Sequence, residues 1–489
     1  MNLSIEYDNL VARIEPSVLP DDILRYLCSI LRYRPDGYRH VYSFKSGTWD
    51  GYNYLFNIKD NTFRRGLLSR VVAALKDAGH NVTTKYTGRE PPRVDHYIHK
   101  DIFRPYEFQS KAVEAATETS SGIIVSPTGT GKSVQIAMLL NNLKRYTIVL
   151  VTDVVLLDQM QQSLQRAYNQ PIGIIGDGEF DIQNITVSTV QSLNTIKKAK
   201  SIAAADKRKD LIAFTNKVGA VISDEVHLSD TASILNIMDL FPNADRFIGF
   251  SATPYGWDGD REKRENLELE QHFGTVVFDT RKNNFVELGL KVPIYVQVQN
   301  RAPVKKDYNI HFKKNRFKGG KTEPDYTANY RECLENEILK NDQYHEEVAA
   351  YASKMASTGN SVFIHAAHSI EFGESIQQRI PGSMLVNGKT PRLRRREIYD
   401  AMRRKDLLVL VSDVGGTGLD IPSLNAIMLA SDLQDIRQLK GRVERADKSP
   451  NATKEYGLLI DFHTNTQFLS KHFDSRKSQY DNDGHLVLG

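Results

Sequence analysis

The sequence predicts an α/β protein: two parallel-sheet lobes preceded by a small α/β domain. Three observations predict it. A chain of 489 residues, 40% hydrophobic and 25% charged, has a globular composition and the length for about three domains. Short apolar, β-branched runs alternate with helical segments in two separate blocks, as in parallel sheets covered on both faces. The segment before about residue 95 lacks that rhythm. The expected domains are residues 1–95, 96–290 and 291–489.

In the first domain, Ile23, Leu24, Leu27 and Leu31 give Asp21–Leu31 a helical apolar spacing. Tyr38–Phe56 is aromatic and alternating, broken by Gly47 and Gly51, and predicts a short β-meander. Leu67–Ala78 predicts a second amphipathic helix, ended by Gly79. Gly88–Val94, with Pro91 and Pro92, predicts a linker. The first block of strands is Ile123–Val125, Thr147–Val151, Ile185–Thr189, Ala220–Asp224 and Phe247–Ala252. The second is Val362–His365, Met384–Val386, Leu407–Ser412, Ile427–Ala430 and Leu458–Phe462. The blocks divide between about 285 and 330. Within that divide, Arg301–Lys321 holds eight basic residues against Asp307 and reads either as a nucleic-acid-contacting loop or as a solvated insertion. Arg392–Glu397 is a basic stretch on a predicted helix, either a solvated face or a second contact.

Several classes are excluded as expectations. No apolar run approaches the ~20 residues of a membrane helix, so no membrane association is expected. Met1–Leu10 carries Glu6 and Asp8 and lacks a secretory pattern. Cys28 and Cys333 are far apart, which argues against a disulfide scaffold or zinc site and fits a reducing cytoplasm. A net charge of +4 is too mild to establish a polyanion partner by itself. Residues 1–100 carry fifteen basic and eleven acidic residues, an excess equal to that of the whole chain.

The most informative stretch is Ser126-Pro-Thr-Gly-Thr-Gly-Lys-Ser133, between an apolar strand and a helical run. Gly129 and Gly131 let the backbone curl so that its N–H groups, with those of Thr128 and Thr130, face a triphosphate. Lys132 is placed to reach the β- and γ-phosphates of ATP, and Ser133 to hold Mg²⁺. The strict pattern begins with Gly, where this chain has Ser126. Val221-Ile-Ser-Asp-Glu-Val-His227 then ends a buried strand in adjacent acids, which is costly unless a cation or water network uses them. Asp224 is expected to orient Mg²⁺ and Glu225 to polarise the attacking water.

In order and spacing these segments resemble the motifs of superfamily 2 helicases of the DExH type, over roughly residues 100 to 465. The resemblance implies two RecA-like lobes. It implies adenine reading by Gln109 in Arg104–Gln109, and strand contact through Val151–Gln159 and Thr189. It assigns coupling of ATP state to lobe motion to His227, Ser251, Thr253 and Gln438, and nucleotide contact to Gly418 and Asp420 in Gly415–Asp420. It makes Arg442 and Arg445 of Gln438–Arg445 the cations that stabilise the transferring phosphoryl group. The chemistry agrees, with the two arginines three apart on an expected helix face. His365 and His368 bracket a further motif and are either backbone-touching or structural.

Asp36–Gly51 is similar to the small N-terminal domain of UvsW-like phage recombination helicases, which act on forks, D-loops and four-way junctions. That resemblance implies a DNA-binding first domain in a protein of the phage-infected host cytosol. Arg39, Lys45, Arg64, Arg65 and Arg70 are candidates to neutralise phosphates. Tyr38, Tyr42, Phe44 and Trp49 either stack on unpaired bases or form the domain's core. The expected protein is a monomeric, ATP- and Mg²⁺-dependent DNA helicase or translocase remodelling branched and single-stranded DNA. The rivals are a DExH RNA helicase and a non-catalytic nucleic-acid scaffold.

Overall fold

The computed structural model describes residues 1–35, 37–99, 104–198, 202–226, 231–253, 259–305, 308, 310–314, 322–413, 421–449 and 452–488. Met1–Pro127 and Gly131–Asn283 form one compact unit, and Asn284–Gly489 forms the bulk of a second. Among the described residues no helix is long and apolar enough to cross a membrane.

The first unit opens with a five-stranded sheet. Its order is Phe56–Asn57, Thr62–Arg64, Val11–Glu15, Asn2–Tyr7 and Asn81–Tyr86. Asn2–Tyr7 alternates buried Leu3 and Ile5 with partly exposed polar residues, the period of a half-buried strand. Helices Asp21–Ile30 and Leu68–Asp77 close over this sheet, burying Ile23, Leu27, Val71 and Leu75. The expected meander is formed only at its end, where Asn53–Tyr54 pairs antiparallel with Arg32–Tyr33 and Phe56 joins the main sheet. Tyr38–His40 is a single 3-10 turn and Tyr42–Lys45 a single helical turn, because local bonds such as His40 N–H to Gly37 O outcompete strand pairing. Gly37 at φ 69° and Gly47 at φ 73° allow these reversals.

The next sheet has eight strands among the described residues. Its order is Glu179–Asp181, Gly173–Gly176, Ile185–Thr189, Thr147–Val151, Ala220–Ser223, Arg246–Ser251, Ser121–Val125 and Val276–Asp279. All neighbours run parallel except the Glu179–Asp181 edge. Helices such as Lys132–Leu143 and Val154–Ala167 pack one face through Ile136, Leu140, Leu157 and Leu164. The five strands expected here are present within a residue or two. Gly173–Gly176 and Val276–Asp279 were not foreseen, the former because two glycines in four residues hide the strand signal.

Among the described residues the second unit carries a seven-stranded, all-parallel sheet. Its order is Met384–Val386, Val409–Ser412, Val362–His365, Ala426–Leu429, Gly457–Thr464, Ile294–Arg301 and Leu486–Leu488. Its last helix, Ser470–Asn482, is fastened by Arg476, which is buried and donates to Asp461 at 2.8 and 3.0 Å and to Asp432 at 3.2 Å.

The N-terminal domain is docked on the lobe that follows it. Leu267, from helix Gly259–Phe273, completes the N-terminal core. Arg70 forms a bidentate pair with Glu270 at 2.5 and 2.9 Å, and Arg64 reaches Asp239 at 2.9 Å. Arg65 is 5% exposed and donates to the Asp245 carbonyl at 3.3 Å. Arg64, Arg65 and Arg70, three of the residues expected to neutralise phosphates, therefore hold the domain to its neighbour: exposed Asp239 and buried Glu270 supply the counter-charge for Arg64 and Arg70, and the Asp245 carbonyl accepts from Arg65. Gly66 lies so close that an added Cβ would fall 2.2 Å from the Glu270 carbonyl. The expected linker is pinned too: Val94 N–H bonds Lys144 O at 3.0 Å, and Pro91 packs on Gly219. Arg70→Ala is expected to leave the Glu270 charge buried and to cost about 2–3 kcal/mol, readable as a lowered urea midpoint. An unchanged midpoint would show that this pair contributes nothing to docking.

Candidate functional site

The candidate site lies where three parallel strands of the first unit end side by side. Ser121–Val125 leads into the glycine-rich loop, Arg246–Ser251 is its neighbour, and Ala220–Ser223 comes next. Ser126 N–H continues the ladder to Ser251 O at 2.8 Å, and Thr253 N–H bonds Ser251 Oγ at 3.0 Å. The loop and the Ser251–Thr253 segment thus share one hydrogen-bonded edge.

Gly129 at φ 84° and Gly131 at φ 81° hold the left-handed conformations that the loop needs. A side chain at Gly131 would also meet Gln109 Nε2 at 2.5 Å. Gln109 reaches that position from the first turn of helix Glu107–Glu118, where its Oε1 accepts from Tyr106 N–H at 3.0 Å. The structure therefore brings Gln109, 4% exposed, to the loop as the motif order implies. Thr128 and Thr130 are buried in the loop, and Ser133 lies in the first turn of helix Lys132–Leu143.

The Lys132 ammonium contacts Glu225 Oε1 and lies 3.8 Å from Asp224 Oδ1. All three side chains are about nine-tenths buried. One cation between two carboxylates leaves a net negative charge, which suits a divalent metal. Asp224 N–H bonds Leu150 O at 2.9 Å, and Glu225 N–H bonds Asp224 Oδ1 at 3.0 Å. Glu225 has φ 48°, a strained value for a non-glycine residue that turns its side chain away from the strand direction. The donor set fits Mg²⁺ with a nucleotide: Ser133 and Asp224 would hold the cation, and the loop N–H groups and Lys132 the phosphates.

Two contributors were not foreseen. Gln135, fully buried, donates Nε2 to Ser126 Oγ at 3.0 Å and ties the helix to the loop's first residue. A polar side chain between Val134 and Ile136 in an apolar helix was the signal. Thr280 donates to Val125 O at 2.9 Å and closes the strand end from the other side.

Thr189 is placed differently from a strand contact. It is 3% exposed, and its hydroxyl bonds Ser192 Oγ at 2.8 Å and accepts from Ser192 N–H at 3.2 Å, so it caps helix Val190–Lys198. His227, Gly418 and Asp420 lie outside the described residues, as do residues 315–321 of the basic stretch. His365 is buried and pushed down to about 4 by burial and by His368, so it is neutral at pH 7 and offers no charge to a phosphate.

In the second unit, helix Arg437–Val443 carries Gln438, partly buried, and Arg442, buried. The helix ends before Arg445, so the two arginines do not share a helical face as expected. The Arg445 backbone pairs with Lys291 in an isolated bridge, fixed by Val292 N–H to Glu444 O at 2.7 Å and Ala446 N–H to Leu290 O at 3.2 Å. Those bonds pull the chain extended one residue after the helix. Glu444 is buried against Lys291 at 2.5 Å and Lys440 at 3.4 Å; burial raises its pKa, yet these lysines hold it below the usual carboxylate range.

On the far side, Lys454 donates to Arg445 O at 2.6 Å and Pro422 O at 3.2 Å. Burial, with the nearby Arg445 charge, brings its amine down to about 7. Below pH 7 it is charged in both folded and unfolded chains, and the burial penalty is complete. Between about 7 and 10.5 the folded chain carries a neutral amine while the unfolded chain is still charged, so stability from this group rises with pH. The stability of wild type relative to Lys454→Met is expected to rise by up to about 5 kcal/mol across that window. Parallel pH profiles of urea unfolding for the two proteins would refute it.

In the first domain, Tyr38, Phe44 and Trp49 lie outside the buried core and pack edge-to-face on one another, with centroids 5.0 and 6.4 Å apart. Arg34 lies over the rings of Tyr38 and Tyr52, and Arg32 over Tyr52 at 4.2 Å. Trp49 Nε1 donates to Tyr52 O at 2.8 Å, Arg39 donates to Tyr38 OH at 3.0 Å, and Tyr42 is 84% exposed. The group is a small aromatic–arginine cluster of its own.

Residues 102–256 match the family described as "Type III restriction enzyme, res subunit". A putative DNA 3'-5' helicase Rad25 of Haloarcula marismortui is 25% identical over 68% of this chain, and this chain spans 48% of that relative's length. The solved UvsW of bacteriophage T4 aligns over 100% of this chain and 99% of its own, at TM-score 0.44 and 18% identity. Saccharomyces cerevisiae Dbp5, solved with RNA and ADP BeF3, aligns over 79% of this chain and 90% of its own at TM-score 0.52 and 15% identity, a likeness of fold. The res-subunit match spans the glycine-rich loop and both acids, and with the collinear motifs and the paired parallel-sheet lobes it shows a chain that resembles the superfamily 2 helicases of the DExH type.

Proposed function

We propose that the chain is an ATP-driven DNA helicase or translocase that remodels branched DNA during recombination, repair or replication. The observation that carries the reading is the Lys132 ammonium set between Glu225 and Asp224 beside the glycine-rich loop. In this reading the loop and Lys132 bind the triphosphate, Ser133 and Asp224 hold Mg²⁺, and the cation neutralises phosphate charge when bound. Glu225 orients and polarises the attacking water, and Arg442 and Arg445 stabilise the charge that develops on the transferring group. DNA is favoured as the polymer because the Haloarcula relative is named a DNA 3'-5' helicase.

Branch preference is assigned to the aromatic–arginine cluster of the first domain, whose rings and cations suit unpaired bases and phosphates at a junction. The deciding experiment is a panel of ATPase and unwinding assays on single strands, blunt duplex, forks, four-way junctions and RNA equivalents. The expected result is ATP hydrolysis stimulated most by forked and four-way DNA. Greater stimulation by RNA, or no stimulation, would overturn the reading. Trp49→Ala is expected to fold and to weaken junction binding by about 1–3 kcal/mol, with ATPase on saturating single-stranded DNA retained. Unchanged junction affinity would remove the stacking role.

A further inference from the structure

A cavity of about 10 Å³, room for one small occupant, lies in the seam between the N-terminal domain and the lobe on which it docks. Its lining includes Arg65, Gly66, Ser121 and His272. Arg65 is 5% exposed, His272 7% and Ser121 9%. Four of their buried side-chain atoms have no hydrogen-bond partner among the described residues: Arg65 Nε and Nη1, Ser121 Oγ and His272 Nε2. We propose that this cavity is a binding site for a monatomic anion of the halide class, which fastens the N-terminal domain to the motor lobe.

The charge balance argues for an anion. Among the described residues Arg65 forms no ion pair, and its Nη2 reaches only the Asp245 carbonyl, at 3.3 Å. The nearby Asp245 carboxylate is taken by Arg145 at 3.1 Å and faces Arg246 at 3.9 Å. Arg145 and Arg246 thus occupy the Asp245 carboxylate and leave buried Arg65 without a counter-charge of its own, and an uncompensated buried charge is expensive. The rings of Tyr7 and Tyr86 lie 5.4 and 5.5 Å from the Arg65 guanidinium; they offset part of this cost and leave the Nε and Nη1 donors unmet.

Hydrogen-bond polarity argues the same way. The Arg65 atoms only donate, and Ser121 Oγ and His272 Nε2 each have a donating form. A water accepts only two hydrogen bonds, whereas a halide accepts from every donor around it. Burial, with a smaller contribution from Arg64, pushes the His272 imidazole down to about 3, so the ring is neutral and one of its nitrogens carries a proton to donate. Ser121 opens the strand that runs into the glycine-rich loop, and His272 belongs to the helix that holds Glu270, so an occupant here would join three segments.

The test uses the full chain. Thermal unfolding is followed while sodium chloride or bromide replaces sodium gluconate at constant ionic strength. The expected result is a saturable rise in Tm, about 3 °C at a hundredfold excess over half-saturation. Arg65→Met should fold and lose the anion dependence. If it does not fold, Ser121→Ala carries the test, raising the half-saturating concentration about tenfold. Crystals grown in bromide should show an anomalous peak in the cavity. A Tm independent of the halide, the same dependence in the variants, or a water in the cavity under bromide would overturn the proposal. None of these outcomes depends on ATP hydrolysis, so the site stands or falls apart from the motor reading.

Discussion

Arg445→Ala is expected to lower ATP turnover by about 10³–10⁵, with ATP affinity changed far less. The reason is the role proposed for Arg445. Phosphoryl transfer spreads charge onto the departing oxygens, and a guanidinium aimed at that charge works mainly in the transition state. The protein fixes the Arg445 backbone with the Lys291 bridge on one side and the Lys454 ammonium on the other, so the side chain starts from a held position. Lys132, Asp224 and Glu225 belong to the first unit and Arg445 to the second. A polypeptide of residues 1–283, which keeps the docked N-terminal domain, is therefore expected to bind ATP weakly and hydrolyse almost none. Single-turnover hydrolysis and nucleotide titrations separate the two effects. Turnover within tenfold of wild type in Arg445→Ala, or robust hydrolysis by the fragment, would remove the arginine from the reaction.

Glu225→Gln is expected to differ in kind. Removing the carboxylate that polarises water should slow hydrolysis by about 10²–10⁴. ATP should bind at least as tightly as to wild type, because Glu225 contacts the Lys132 ammonium and competes with a phosphate for it. The amide lacks the charge for that contest, so Lys132 is released toward the phosphates. Asp224, 3.8 Å from Lys132, keeps its place for the metal. Fluorescent-ATP titration read beside the hydrolysis rate checks both halves, and loss of ATP binding would show that Glu225 organises the pocket rather than the water.

The two parallel-sheet lobes and the glycine-rich loop were legible in the sequence, because both are written in local patterns. Strands such as Thr147–Val151 and Val362–His365 are mostly apolar and buried along their whole length, since each is covered on both faces. Gly129 and Gly131 are legible because the left-handed backbone of the loop selects against a Cβ. Adjacent acids at a strand end are legible because burying them demands a cation. The tertiary structure decided what depends on partners distant in sequence. Arg64, Arg65 and Arg70 read as a phosphate-binding group until Asp239, the Asp245 carbonyl and Glu270, some 175 to 200 residues away, take them up. Thr189 reads as a strand contact until its hydroxyl is seen capping the next helix. Arg445 reads as the next turn of a helix until Leu290 and Val292 draw its backbone extended. A charge or hydroxyl in a sequence states only what it can bond. Which partner it bonds is fixed by the fold, which brings remote groups within 3 Å and makes leaving any of them unpaired too costly.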